Sequence, residues 1–282
     1  VSETKNTSIT ELASQMVGRE VFLQVKKEEA QPKEEILNVQ DLWVHDARGL
    51  LAVNGVSLNI NAGEIVGIAG VEGNGQSELV EALTGLRKAS KGTVHYLGED
   101  IASSSPKNIR RKKIAHIPED RTNTGLNTQL SIWENLIGNS YFRKPLSSKG
   151  IFNLKKIANH ANSLKDDFDI RAPSVSLKVK SLSGGNQQKV VVARELSEDP
   201  TLTIASQPTR GVDIGNIEAI HEQLVQMRDE GGAVLLVSAE LDEVMAVADR
   251  VAVMYEGQIV KWVNPKEVDQ AQMGLYMAGV KE

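Results

Sequence analysis

Two short stretches carry residues whose types and spacing suit phosphate chemistry. The first, Gly70-Val71-Glu72-Gly73-Asn74-Gly75-Gln76-Ser77, lies between the apolar run Glu64–Ala69 and a helical pattern from Glu78 to Gly85. Glycines at 70, 73 and 75 allow successive backbone N–H groups to curl into an anion nest, and Ser77 can offer its hydroxyl to Mg²⁺. The second, Leu182-Ser183-Gly184-Gly185-Asn186-Gln187-Gln188-Lys189, opens into the apolar run Val190–Leu196. Ser183 is a good N-cap, and the two glycines let a phosphate approach the orphan N–H donors of a helix start, where the macrodipole also favours negative charge. Each stretch taken alone also reads as an ordinary junction between loop and helix.

Set against G-x-x-x-x-G-K-[ST], the first stretch fits a P-loop at every position except 76, where glutamine replaces lysine. A lysine gives the β/γ-phosphates a charge-assisted hydrogen bond worth roughly 1.5–3 kcal/mol. Glutamine keeps a neutral donor and loses the charge, so affinity is expected to fall roughly tenfold to a hundredfold. Glu72 adds an acid to the same loop. The backbone nest survives, and weak nucleotide binding with it, whereas strong catalysis does not.

The elements around these stretches alternate. Short strand patterns occur at Ile36–Val39, Leu51–Ile60, Gly92–Leu97 and Lys113–Ile117. Apolar strands at Leu202–Ala205 and Val234–Ser238 are flanked by helical stretches at Asn216–Glu230 and Leu241–Ala248, and Val251–Tyr255 with Gln258–Trp262 reads as a closing hairpin around Glu256-Gly257. Strands alternating with helices indicate a parallel α/β sheet. Residues 122–180 are more polar and helix-rich, the pattern of an insertion. The chain has 282 residues, a net charge of −5 and 40% hydrophobic residues, enough for one large domain or two modest ones. Its mild acidity argues against nucleic acid as the main partner. It has no cysteine, which excludes disulfides and thiolate metal sites. No apolar run reaches the roughly 18 residues needed to span a bilayer.

The octapeptide 182–189 resembles the signature motif of ABC-type ATPases. Leu202-Thr203-Ile204-Ala205-Ser206-Gln207-Pro208-Thr209-Arg210-Gly211-Val212-Asp213 resembles the family's Walker B strand and the D-loop after it. The resemblance runs from about Ile36 to Trp262 and implies an α/β P-loop NTPase fold with a RecA-like core, an antiparallel β-subdomain and a helical insertion. By that resemblance Gly70, Gly73, Asn74, Gly75, Gln76 and Ser77 would bind nucleotide, and Leu182, Ser183, Gly184, Gly185, Asn186 and Gln187 form the signature. Ser206 stands where the family has its Mg²⁺-side aspartate, Gln207 where it has its general-base glutamate, and Ala239 where its switch histidine falls. General-base catalysis contributes roughly 10²–10⁴-fold, and a glutamine can orient water without taking its proton. Glu119 holds the Q-loop glutamine's place, where its carboxylate either replaces part of the metal ligation beside Ser77 or repels a γ-phosphate. Asp213 is either a dimer contact or a helix cap. Trp43 and His45 are imperfect candidates for the adenine-stacking aromatic. His95, His116, His160 and His221 lack metal-ligand spacing.

Within the family, the chain resembles the second nucleotide-binding half of the tandem ATPase subunit of bacterial importers for simple sugars or nucleosides. Pro118–Arg121 and Pro208–Gly211 match that subgroup, Ser206-Gln207 leans toward its nucleoside branch, and Met16–Glu20 resembles the junction closing the first half. The expected organisation is therefore a preceding domain's tail and a charged linker over 1–33, a cassette over 34–265 with a helical subdomain at about 122–180, and a C-terminal tail over 266–282. The start without an initiator methionine is expected of the later portion of a longer protein. ATP and Mg²⁺ would be held weakly or not at all in this half. Its partners would be the preceding half, integral membrane permease subunits and, indirectly, a substrate-binding lipoprotein, with the chain peripheral on the cytoplasmic face. A fully active ATPase and a non-transport interaction module on the same fold are the rival readings.

Overall fold

The computed structural model describes residues 25–280. The sequence reads as a short helix over 9–18 with a glycine stop; that segment and the junction-like residues 16–20 lie outside the described residues. Along the chain, β1 (Glu35–His45) and β2 (Leu51–Asn61) form an antiparallel pair. They bury alternate apolar residues such as Leu37, Val39, Val56 and Leu58, the pattern of strands with one face in a core. β3 (Ile65–Ala69) is buried at every position. After the glycine loop comes α1 (Gln76–Leu83), which starts two residues earlier than the apolar pattern indicates. β4 (Lys91–Tyr96) and β5 (Glu99–Asp100) extend the antiparallel sheet, in the order β2-β1-β4-β5. The short α2 (Pro106–Arg111) leads to β6 (Ile114–Ile117).

A π-helical turn, Arg121–Gly125, follows, and then α3 (Ile132–Leu136), whose Ser131 and Glu134 make a reciprocal capping box. A small hairpin, β7 (Ser147–Ser148) with β8 (Ile151–Phe152), precedes α4 (Leu154–Asp167) and α5 (Gly184–Leu196). Neither the π-turn nor the hairpin has a periodic signature, because each is only a few residues long. The remaining elements are β9 (Leu202–Ser206), α6 (Ile214–Asp229), β10 (Ala233–Ser238), α7 (Leu241–Val247), β11 (Arg250–Tyr255), β12 (Gln258–Val263) and α8 (Gln270–Met277).

The main sheet has the order β12-β11-β3-β10-β9-β6. Its strands pair in parallel from β6 through β11, and β12 closes it antiparallel. β3, β9 and β10 are apolar throughout or nearly so because a parallel sheet is covered on both faces. One core joins this sheet to the antiparallel one through Val66, Ile68, Leu79, Val94, Ile204 and Leu235.

The chain divides into two compact units. One contains both sheets and is built from Glu28–Glu119, Glu198–Pro208 and Leu224–Glu282. In it Glu28 and Lys33 of the charged stretch are tied to the core. Lys33 N–H donates to Ala62 O at 2.9 Å, and the buried Arg228 donates to Glu28 O at 3.1 Å and to Asp249 Oδ1 at 2.8 Å. The other unit is built chiefly from Asp120–Ser197 and Thr209–Gln223 and contains α3, α4 and α5. There Trp133 packs against Ile137, Leu146 and Ile157. Among the described residues no helix is long and apolar enough to cross a membrane.

Candidate functional site

The glycine loop links the end of β3 to α1, and two of its glycines are required by what surrounds them. A Cβ on Gly75, which has φ +98°, would lie 2.1 Å from Ala52 O; one on Gly70 would lie 2.5 Å from Met254 O and 2.4 Å from Gln76 Nε2. Gly73 has φ +93° with open space around it, so the left-handed turn alone calls for glycine there. Asn74 is a structural tie. Its Oδ1 accepts from Glu256 N–H at 2.9 Å and its carbonyl accepts from Gly257 N–H at 3.0 Å, fixing the loop to the β11–β12 turn.

Gln76, the position of the missing lysine, is only 9% exposed. Its amide turns back into its own loop, Nε2 donating to Val71 O at 3.1 Å. Ser77 Oγ donates to Glu119 Oε2 at 3.4 Å, so the two residues singled out for metal ligation do meet. Beyond this pair, no group of three or more His, Cys, Asp or Glu residues that could hold a metal ion occurs among the described residues.

The wall facing the loop is built from the ends of two parallel strands. Ser206 is buried at the end of β9 and pairs with Val237 of β10. Gln207 then turns left-handed, with φ +47°, a conformation that costs a non-glycine residue roughly 1 kcal/mol or more. Its N–H donates to Val237 O at 2.7 Å, while its Oε1 accepts from Ala239 N–H at 3.3 Å and from Ser238 Oγ at 3.4 Å. The sequence places 207 and 239 at separate motif positions; the fold bonds them to each other.

These residues enclose a cavity of about 20 Å³. Gly70, Gly73, Gln76 and Ser77 line it on the loop side, and Glu119, Ser206, Gln207 and Ala239 on the other. Glu72 also reaches it, and no lysine or arginine is among its lining residues. The volume is that of about one water, against the several hundred Å³ of a formed small-molecule pocket. Trp43 and His45 do not line it: Trp43 Nε1 donates to Asp41 Oδ1 at 2.7 Å, and Lys91 Nζ sits 5.3 Å from its ring centroid.

The second stretch forms the start of α5, and Ser183 caps it as the residue type implies. Ser183 Oγ accepts from Asn186 N–H at 3.4 Å and from Asn186 Nδ2 at 3.0 Å, which leaves its own hydrogen available for donation. Asn186 Oδ1 accepts from Arg171 N–H at 2.7 Å, and Gln187 Nε2 donates to Leu182 O at 3.2 Å. Gly185 is buried against the start of α6; a Cβ there would lie 2.2 Å from Asn216 Nδ2 and 2.9 Å from Asp213 Oδ2. Asp213 acts as a cap, its Oδ1 accepting from Asn216 N–H at 3.2 Å and its Oδ2 from Asn216 Nδ2 at 2.6 Å. Arg121 stands beside Gly184, with Nη1 donating to Arg210 O at 2.7 Å. No reading of residue types alone brings 121, 184 and 210 together, since the contact spans separate elements.

The sequence matches the ABC transporter family over residues 53–210, more than half of the chain. It is 47% identical over 277 residues to the guanosine import ATP-binding protein NupO of Bacillus subtilis, covering 98% of this chain and 54% of that protein. It is 46% identical over 269 residues to the nucleoside import ATP-binding protein NupA of Lactococcus lactis, covering 95% and 53%. The chain thus spans about half the length of the relatives it matches. A glucose import ATP-binding protein of Haloferax volcanii, TsgD13, is 39% identical. Among solved structures, a nucleotide-free ATP-binding cassette from an ABC transporter superposes with a TM-score of 0.71 at 24% identity, covering 88% of this chain and all of that one. That likeness shows the fold, with its parallel core sheet, antiparallel sheet and helical unit. This chain is an ATP-binding cassette of the ABC transporter family.

Proposed function

We propose that this chain is the second nucleotide-binding half of an importer's ATPase subunit. In this reading it lends its signature turn to ATP held on the loop of a preceding half, while its own loop is catalytically degenerate. The observation that carries the reading is the self-satisfied pocket. Gln76 is bonded to Val71, Gln207 to Ala239, and the lining contains two glutamates and no cation. That set suits a Mg²⁺-nucleotide poorly, because the polyphosphate would meet like charge where the family supplies a lysine. The signature turn keeps what it needs. The Ser183 hydroxyl hydrogen is uncommitted to its cap bonds, and the N-terminus of α5 offers backbone donors to a terminal phosphate on a neighbouring cassette.

The remaining half of each relative leaves room for a preceding cassette on one polypeptide. The unit containing Asp120–Ser197 corresponds to the helical subdomain and docks on permease subunits, placing the cassette peripherally at the membrane. Nucleosides are the solute class this reading favours, from the names of NupO and NupA.

The reading is tested on the assembly of this chain with the preceding half. Ser183→Arg is expected to cut its ATP turnover by about 10²–10³-fold, the scale for losing an oxyanion-type donor. Turnover that survives Ser183→Arg would mean that this signature serves no active site.

A further inference from the structure

The signature turn, the loop leading into α6 and the π-turn lie far apart in sequence and meet at one side chain. Arg121 Nη1 donates to Arg210 O at 2.7 Å. Its Nη2 lies where a Cβ on Gly184 would come within 2.8 Å, and Nη1 and Nη2 lie 3.4 and 3.5 Å from where a Cβ on Gly211, at φ +65°, would stand. Both glycines therefore leave room for the same planar guanidinium. Arg121 Nε is enclosed and has no hydrogen-bond partner among the described residues, so packing and the single bond to Arg210 O set where the group sits.

The arm that presents Arg121 is itself fixed. The Asp120 carboxylate accepts from the N–H groups of Thr122 and Asn123, both at 2.9 Å, from Thr122 Oγ1 at 2.8 Å and from Asn123 Nδ2 at 2.6 Å. On its other side the start of α5 is braced by Gly185 against the Asp213–Asn216 cap. The signature turn is thus held between Arg121 and the beginning of α6, with glycine at both contacts.

We propose that Arg121 is a positioning residue for the ATP site that the signature turn serves. It locks the N-terminus of α5 to the Arg210-Gly211 segment, so that Ser183 and Asp213 reach a neighbouring cassette as one rigid surface. This rests on the reading that the signature completes a neighbour's site. ATP docks first on the neighbour's own loop, and the signature contributes only on closure, so a slack signature lowers kcat and leaves KM nearly unchanged.

The test is a cycle on the assembly with the preceding half. Arg121→Ala is expected to lower kcat about tenfold, with KM for ATP within about twofold. Gly184→Ala, whose methyl would press on the guanidinium, is expected to lower kcat to a similar degree. The double variant should be no worse than the poorer single one, because the partner in the clash is gone. Arg121→Lys, which reaches one carbonyl but lacks the planar fork, should fall between wild type and Arg121→Ala, and it supplies the same reading if Arg121→Ala does not fold. Unchanged kcat, a rise in KM alone, or losses that multiply in the double variant would overturn the positioning role. Ser183→Arg run in parallel separates the two ideas. If it silences turnover while Arg121→Ala does not, only the positioning role fails; if it too has no effect, the underlying reading fails.

Discussion

A neutral amide at position 76 decides how the phosphate loop behaves. A lysine there would carry its charge toward the nest, whereas Gln76 donates to Val71 O and adds no positive charge to a lining that includes Glu72 and Glu119. Replacing all four altered positions together (Gln76→Lys, Ser206→Asp, Gln207→Glu and Ala239→His) is expected to raise ATP affinity by roughly tenfold to a hundredfold. Isothermal titration of the chain checks this. No gain would mean that the nest geometry is lost along with the charge. At this scale much was legible in the sequence. Gly70 and Gly75 stand where a side chain would strike backbone, and Ser183 caps α5. The left-handed turn at Gln207 and its bond to Ala239 were not legible, because they depend on β9 and β10 lying side by side, a pairing set by the sheet rather than by neighbours in sequence.

Among the elements, the π-turn Arg121–Gly125 shows how a short segment acquires definition without a periodic pattern. Hydrogen bonds from Asn123 N–H and Nδ2 come first, then those from Thr122, and together they hold the Asp120 carboxyl well below the usual carboxylate range. A group whose pKa is depressed on folding contributes stability that is complete above its unfolded value, near 3.8, and is lost as pH falls through its folded value. Amide exchange of residues 121–125 should therefore be faster in Asp120→Ala than in wild type by a constant factor between about pH 5 and 8. That difference should shrink progressively below about pH 4, as the carboxylate of the opened turn takes up its proton while the folded one resists protonation until lower pH. A difference that persisted undiminished into strong acid would assign the turn's stability to something other than this carboxylate. Strands were the readable elements, since β3 and β10 are unbroken apolar runs that only a doubly covered sheet requires. The β7–β8 hairpin and the buried Arg228 clamp were not, because two-residue strands leave no pattern and a charged residue in a helix is ordinarily solvated.

For the molecule as a whole, the phosphate-facing residues fall into two sets with different chemistry. In the unit with both sheets, a loop of the right shape surrounds a cavity of about 20 Å³ whose polar groups bond to one another. In the other unit, α5 starts with a capped, glycine-bordered turn backed by Arg121 and Asp213. The proposed division of labour, donor to a neighbour rather than owner of an active site, follows from that contrast. The relatives' remaining length is where the neighbour would lie.

The most direct measurement of the central claim is ATP titration and steady-state turnover of this chain, alone and mixed with the preceding half. Alone, it should bind ATP no tighter than about 1 mM and turn over no faster than buffer; mixed, the two should associate in an ATP-dependent way and hydrolyse. Steady turnover by the chain alone, abolished by Gln76→Ala, would contradict the account.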